Sequence, residues 1–199
     1  MPCFTSGIMV MTPGGQIGVE DLVAGSRIVT RDNGIQAVEW VGRTTVDFAG
    51  LSASPHLKPI LLQQGSLGPG LPERDMLVSP NHRILVGSDR PVQFYDGAEM
   101  LVAAKNLVDG RTIRHVDMLG VTYIHFLFAR HEVVLANGAW TESFHPADRS
   151  LGAVGNAQRT ELGELFPDLS TANPASGYQL GLRSRRRREA HLLEFLDRG

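Results

Sequence analysis

Cysteine is almost absent from this chain. One, Cys3, stands among 199 residues, which excludes an internal disulfide framework and any zinc site built from several thiolates. No apolar run approaches the roughly 20 residues that a membrane-spanning helix needs. No basic segment followed by an apolar one marks a secretory signal. On that ground the chain reads as cytoplasmic by default, or as secreted if it belongs to a longer precursor. An excess of one charge sign is missing too. A formal net charge of −2 gives no electrostatic reason to expect nucleic acid or an acidic membrane as partner. The glycine-rich stretch Gly65 to Gly70 lacks the G-x-x-x-x-G-K-[ST] form of a phosphate-binding loop. No repeat recurs at a solenoid period.

What the chain has is turns and short apolar runs. Its 22 glycines and 11 prolines separate β-branched and aromatic segments over the first two-thirds, the pattern of many short strands. Strands are expected at Ile8 to Met11, Arg27 to Thr30, Ile35 to Val46, Met76 to Val78 and Ile84 to Val86, and again at Val92 to Tyr95, Arg111 to Val116, Val121 to Phe128 and Glu132 to Ala136. Asp32-Asn33-Gly34 and Asn137-Gly138 are strong turn signals, because Asn and Gly tolerate positive φ. Val19 to Val23 reads as a single helical turn, Leu101 to Leu107 as a short helix, and Gln64 to Arg74 as a loop. The composition changes near Phe144. From Thr160 onward Leu162, Leu165, Phe166 and Leu169 fall at helical spacing, and Arg183 to Leu196 reads as an amphipathic helix. The expected organisation is an all-β domain over residues 1–146 and a helical C-terminal extension over 147–199.

Cys3 gains interest from Ser79-Pro80-Asn81-His82. A hydroxyl three residues before an imidazole, in a turn between strands, can place both around one point. A thiol, a hydroxyl and an imidazole suit attack on an adjacent carbonyl. The imidazole gives a proton to the departing amide nitrogen, and the hydroxyl orients the scissile peptide or its oxyanion. By spacing alone a turn-forming Ser-Pro followed by a half-buried His explains the same residues. His131 and His115 read as solvated or capping side chains, Asp75 as a surface carboxylate, Trp40 and Trp140 as core anchors, and Arg185 to Arg188 as a solvated helix face.

The order of several stretches is more specific. Cys3-Phe4-x-x-Gly7 opens the chain. Val19-Glu20-Asp21-Leu22-Val23-x-Gly25-x-Arg27-Ile28 follows, then Val78-Ser79-Pro80-Asn81-His82-Arg83-Ile84-Leu85-Val86. The region closes with Tyr123-Ile124-His125-Phe126 and His131-Glu132-Val133-Val134-Leu135-Ala136-Asn137-Gly138. Over about residues 3–146 the chain resembles the Hedgehog/intein (Hint) domain family, in particular bacterial members outside the true inteins. The resemblance implies a horseshoe-like all-β fold and self-processing. Cys3 matches the family's N-terminal nucleophile. Ser79 and His82 match its T-x-x-H motif, with Ser in place of Thr. His125 falls near a position whose residue assists the second step. The implied reaction is an N-to-S acyl shift at the bond before Cys3. The chain's own N-terminal flanking peptide is then the substrate, and water or a small nucleophile accepts the thioester. No metal or organic cofactor is implied.

Two departures shape the expectation. Splicing inteins end on a penultimate His and a terminal Asn that cyclises. Counted from Asn137-Gly138, those places fall on Glu142 and Ser143, neither of which forms a succinimide, so N-terminal cleavage without splicing is expected. Only Met1 and Pro2 precede Cys3 in this sequence. The Pro2 ring hinders its own carbonyl and restricts twisting of the scissile bond, which slows an acyl shift. Two other readings stand beside autoprocessing: a vestigial Hint-fold interaction or structural module, and a thiol hydrolase or transferase acting in trans. The last lacks a thiol at a helix N-terminus, where thiols are commonly activated.

Overall fold

A computed structural model describes residues 3–87 and 99–143. Its described residues form two antiparallel sheets with little helix, the all-β fold expected. The first sheet runs in the order β11 (Ile113–His115), β7 (Ile60–Leu62), β8 (Met76–Val78), β1 (Phe4–Thr5), β12 (Gly120–Leu127) and β6 (Trp40–Asp47). The main path of the second is β10 (Met100–Ala103), β9 (Arg83–Val86), β14 (Ala139–Glu142), β13 (Val133–Ala136), β2 (Met9–Thr12) and β3 (Gly15–Gly18). Off this path, β4 (Arg27–Thr30) pairs with both β13 and β5 (Gly34–Ala37). One short helix, α1 (Phe48–Ala53), follows β6, with Asp47 as its N-cap accepting from the Gly50 N–H at 2.8 Å. The expected strand at Val92 to Tyr95 and the helical extension lie outside the described residues.

Two local expectations differ from the structure. Ile35 to Val46 is two strands, because the chain changes sheets between them. Val38 exchanges hydrogen bonds with Ser26 and Gly25, whereas the Glu39 N–H already donates to the Leu127 carbonyl. Leu101 to Leu107 begins as a strand: Met100–Ala103 pairs fully with β9, and Ala104–Leu107 alone takes a 3-10 turn. Ladder bonds to a preformed partner outweigh weak local helix preference. Strands β3 and β7 and helix α1 have no clear periodic signal. In β7 the run Ile60-Leu61-Leu62 is apolar throughout and lies between β8 and β11.

The long strand β12 divides the interior. Ile124 and Phe126 join a cluster that includes Phe4, Val78, Ile84 and Val134. Val121, Tyr123 and Leu127 join a second cluster with Leu51, Leu57 and Cys3. A strand with apolar packing on both faces loses the alternation of a half-exposed one, and β12 is accordingly buried over most of its length. Short β1 inserts between β8 and β12, so the chain near Cys3 is inside the protein.

Candidate active site

The register of β1 sets the geometry. Phe4 lies opposite Val78 on one side and Ile124 on the other. Carried on by one residue, the same registers set Cys3 between Ser79 and His125. Residues directly opposite in antiparallel pairs share a face, with Cβ atoms roughly 5 Å apart. The Ser79 N–H donates to the Cys3 carbonyl at 3.0 Å, as a ladder bond should. The return bond is different. The Cys3 N–H donates to the Ser79 hydroxyl at 3.1 Å. The Ser79 carbonyl instead accepts from the His82 N–H at 3.0 Å, closing the turn. Pro80, which has no N–H to donate, ends the ladder there. The amide nitrogen of the bond between residues 2 and 3 is therefore held by a side-chain hydroxyl in a buried site.

His82 is fully buried. Its ring packs edge-on against Phe4 with centroids 4.5 Å apart, and neither ring nitrogen has a hydrogen-bond partner among the described residues. Burial drives its pKa from 6.5 down to about 3, outweighing the charge of Glu142 and the Cys3 backbone, which favour the protonated ring. Successive side chains of a strand point to opposite faces. Cys3 accordingly belongs to the second cluster, while the Phe4 ring, with His82 on it, belongs to the first. His125 is buried beside Trp40, ring centroids 6.1 Å apart. By register Cys3 thus lies between Ser79 and His125, and His82 lies on the Phe4 side of β1. The loop carboxylate Asp75 is exposed, where its side chain accepts from the Gln64 N–H.

A buried polar group that was not singled out in the sequence lies next to this site. Thr141 pairs with Ile84, so the next residues along, Glu142 and Arg83, face each other, joined by an ion pair of 3.4 Å. Glu142 also bonds the His131 ring at 2.9 Å. His131 is consequently buried and paired, not solvated or capping as expected; the carboxylate opposite supplies the polar partner that burial requires. Burial would raise the Glu142 pKa, but Arg83, His131 and His82 together pull it down to about 2. The neighbouring Glu132 is also buried, and its carboxylate accepts both contacts of the Asn33 amide at 3.1 and 2.9 Å. A signal was present: two glutamates inside otherwise apolar strand-like runs need partners. Among the described residues no group of three metal-ligating side chains converges, and no helix is long and apolar enough to cross a membrane.

Comparison with known families decides the relationship. The family model described as Hint domain matches residues 2–148. This chain belongs to the Hint domain family. No curated protein matches it. Solved structures of similar fold include the intein-like domain from Clostridium thermocellum, with 12% identity, a TM-score of 0.45, and coverage of 72% of this chain and 99% of that one. The DnaB intein from Synechocystis sp. has 12% identity and a TM-score of 0.46, over 73% of this chain and 100% of that one. A gp41-1 intein has 15% identity and a TM-score of 0.46, over 71% and 98%. The Hint fold here is that of self-processing and splicing-related domains in general.

The Ser79 hydroxyl has a structural duty that can be measured. Ser79→Ala leaves the buried Cys3 N–H without its acceptor, which should lower stability by about 1–3 kcal/mol. Urea unfolding of Ser79→Ala beside Ser79→Thr checks this; Thr keeps the hydroxyl and should lose less. Equal stability of all three proteins would mean that the bond carries no weight.

Proposed function

We propose that this Hint domain cleaves the peptide bond before Cys3 by an N-to-S acyl shift, without splicing. The Cys3 sulfur bonds to the carbonyl carbon of residue 2, and the bond from that carbon to the Cys3 nitrogen breaks. The thiol gives up one proton, and the departing nitrogen gains one to become an amine. His82 delivers that proton, and Ser79 holds the amide N–H so that its bond can be turned out of conjugation. Water or a small nucleophile then takes the acyl group from sulfur, assisted by His125. The upstream peptide is released and the thiol is regenerated.

The observation that carries this reading is the hydrogen bond from the Cys3 N–H to Ser79 Oγ at 3.1 Å. A regular ladder would use a backbone carbonyl there. A hydroxyl can follow the nitrogen as it changes from planar amide to amine, because it rotates and both donates and accepts. The buried His82 ring, which makes no hydrogen bond of full geometry among the described residues and whose protonated form the Cys3 backbone favours, supports the same reading. An unpaired buried polar group is costly and calls for an explanation, and proton transfer at the adjacent bond supplies one.

Pro2 favours a second reading, a Hint-fold interaction module whose chemistry is vestigial, since the proline ring hinders attack at its own carbonyl. A reporter protein fused ahead of Cys3, with Gly replacing Pro2, separates the two. Dithiothreitol or hydroxylamine should release the reporter within hours, and mass spectrometry should find the new end at residue 2. A folded fusion that releases nothing under either reagent rejects processing and leaves the module. Restoring Pro2 should slow release by at least about tenfold, through the loss of carbonyl access and bond rotation.

A further inference from the structure

We infer that Glu142 is a positioning residue that acts through His82, as counter-ion to the protonated ring; this rests on the processing reading above. His82 must carry a proton at the moment the amide nitrogen departs, yet it stands in an apolar pocket against Phe4. A cation forming there needs an anion at hand. Strand β14 supplies it. The Thr141–Ile84 register and the Glu142–Arg83 ion pair bring Glu142 to the end of β9, one residue from His82.

The carboxylate is built to stay charged. It is buried, and one oxygen, Oε1, receives both Arg83 at 3.4 Å and the His131 ring at 2.9 Å. The other, Oε2, is buried with no hydrogen-bond partner among the described residues. An anion with one oxygen anchored and the other unspent retains attraction for a further cation, and in a poorly screened interior that attraction reaches well beyond contact distance. The arrangement parallels the way a buried carboxylate steadies the imidazolium of a hydrolytic triad, with His131 and Arg83 fixing the carboxylate.

The charged groups around the pair have opposed effects on His82. From β9, the Arg83 guanidinium is a cation next to His82 in the chain, and like charges repel. From β14, Glu142 favours protonation of the ring. His131, before β13, faces Glu142 rather than His82. Glu132 is turned to Asn33 and Arg130. On the β10 side, the backbone of Ala104 binds the His82 carbonyl and Lys105 is exposed. Removing Glu142 and removing Arg83 should therefore move His82 in opposite directions, a result that loss of packing would not give.

The test uses the full-chain reporter fusion with Gly at position 2, as it stands and with Glu142→Gln, Glu142→Asp or Arg83→Gln. Glu142→Gln should slow hydroxylamine-induced release about 10- to 100-fold, a fraction of what general acid catalysis contributes. Glu142→Asp should recover part of the rate. In parallel, the His82 ring is titrated by nuclear magnetic resonance. Its midpoint should fall in Glu142→Gln and rise in Arg83→Gln. Displacement in the same direction, or none in either, overturns the inference, as does release by Glu142→Gln within about twofold of the parent. If the parent fusion releases nothing, the processing reading fails instead, and the titration still decides whether Glu142 governs His82.

Discussion

Cys3→Ala should keep the fold and lose thiol-induced release entirely. Cys3 is the one cysteine among 199 residues, so no second thiol can stand in. The Ser79 hydroxyl is engaged with the Cys3 N–H. Loss of the attacking atom lowers rates by about three orders of magnitude or more, which for a single-turnover event is release at background. The fold should tolerate the change. The thiol is buried among Leu51, Leu57, Tyr123 and Leu127, and trimming one sulfur from such a site costs about 1 kcal/mol. The decisive experiment compares hydroxylamine-induced release from the parent fusion and Cys3→Ala, with urea unfolding of both as a control. Equal release from the two proteins would exclude Cys3 as the nucleophile. Burial adds a second observable: iodoacetamide should alkylate Cys3 far more slowly in the folded protein than in urea.

The second large effect is on stability against acid. His82 is neutral in the folded protein down to about pH 3 but takes up a proton near 6.5 once unfolded. In that window the unfolded chain binds more protons, so stability rises with pH and falls as the solution is acidified. The full span corresponds to roughly 5 kcal/mol, at about 1.4 kcal/mol for each tenfold change in proton affinity. A domain of this kind holds only about 5–15 kcal/mol in all. Glu142 adds to the loss at lower pH, as acid protonates it from the unfolded value of 4.5 towards about 2. Glu132 works the other way, since burial raises its pKa. Above pH 4.5 the Glu142 contribution is complete, but Glu132 still opposes His82 there, so the difference between the parent and His82→Leu reports the imidazole. Between pH 6.5 and 4.5 the urea midpoint of the parent should fall on acidification relative to that of His82→Leu. At neutral pH that substitution should be no less stable, because it removes two buried ring nitrogens that lack partners. It should also abolish release. A parallel decline in both proteins would show that His82 does not titrate as described.

Under the proposed function the His82 ring would hold back stability for chemistry, a trade common at functional sites. The trade also explains why this site was partly legible in the sequence. Cys3, Ser79 and His82 are conspicuous because their side-chain types do chemistry and because their order matches a family pattern. Glu142 and His131 are not, because a glutamate or histidine in a strand reads as solvated until its neighbours are known. Their partners come from β9 and from the loop before β13, 59 and 11 residues away in the chain. The long strand expected over Ile35 to Val46 shows the same limit from the other side. Its alternation is real, but the break at Val38 and Glu39 is set by partners at Ser26 and Leu127, far off in sequence.

By itself the sequence determined the all-β class, the turns at Asn33-Gly34 and Asn137-Gly138, and which side chains have the chemistry to act. These rest on local properties: backbone freedom at Asn and Gly, side-chain alternation and functional-group type. Only the tertiary structure decided that β1 lies between β8 and β12, that a hydroxyl replaces a carbonyl at the Cys3 N–H, and that His82 is sealed from water near an anchored carboxylate. Those outcomes depend on strand order and register, which join residues distant in the chain, and on burial, which sets what a charge costs.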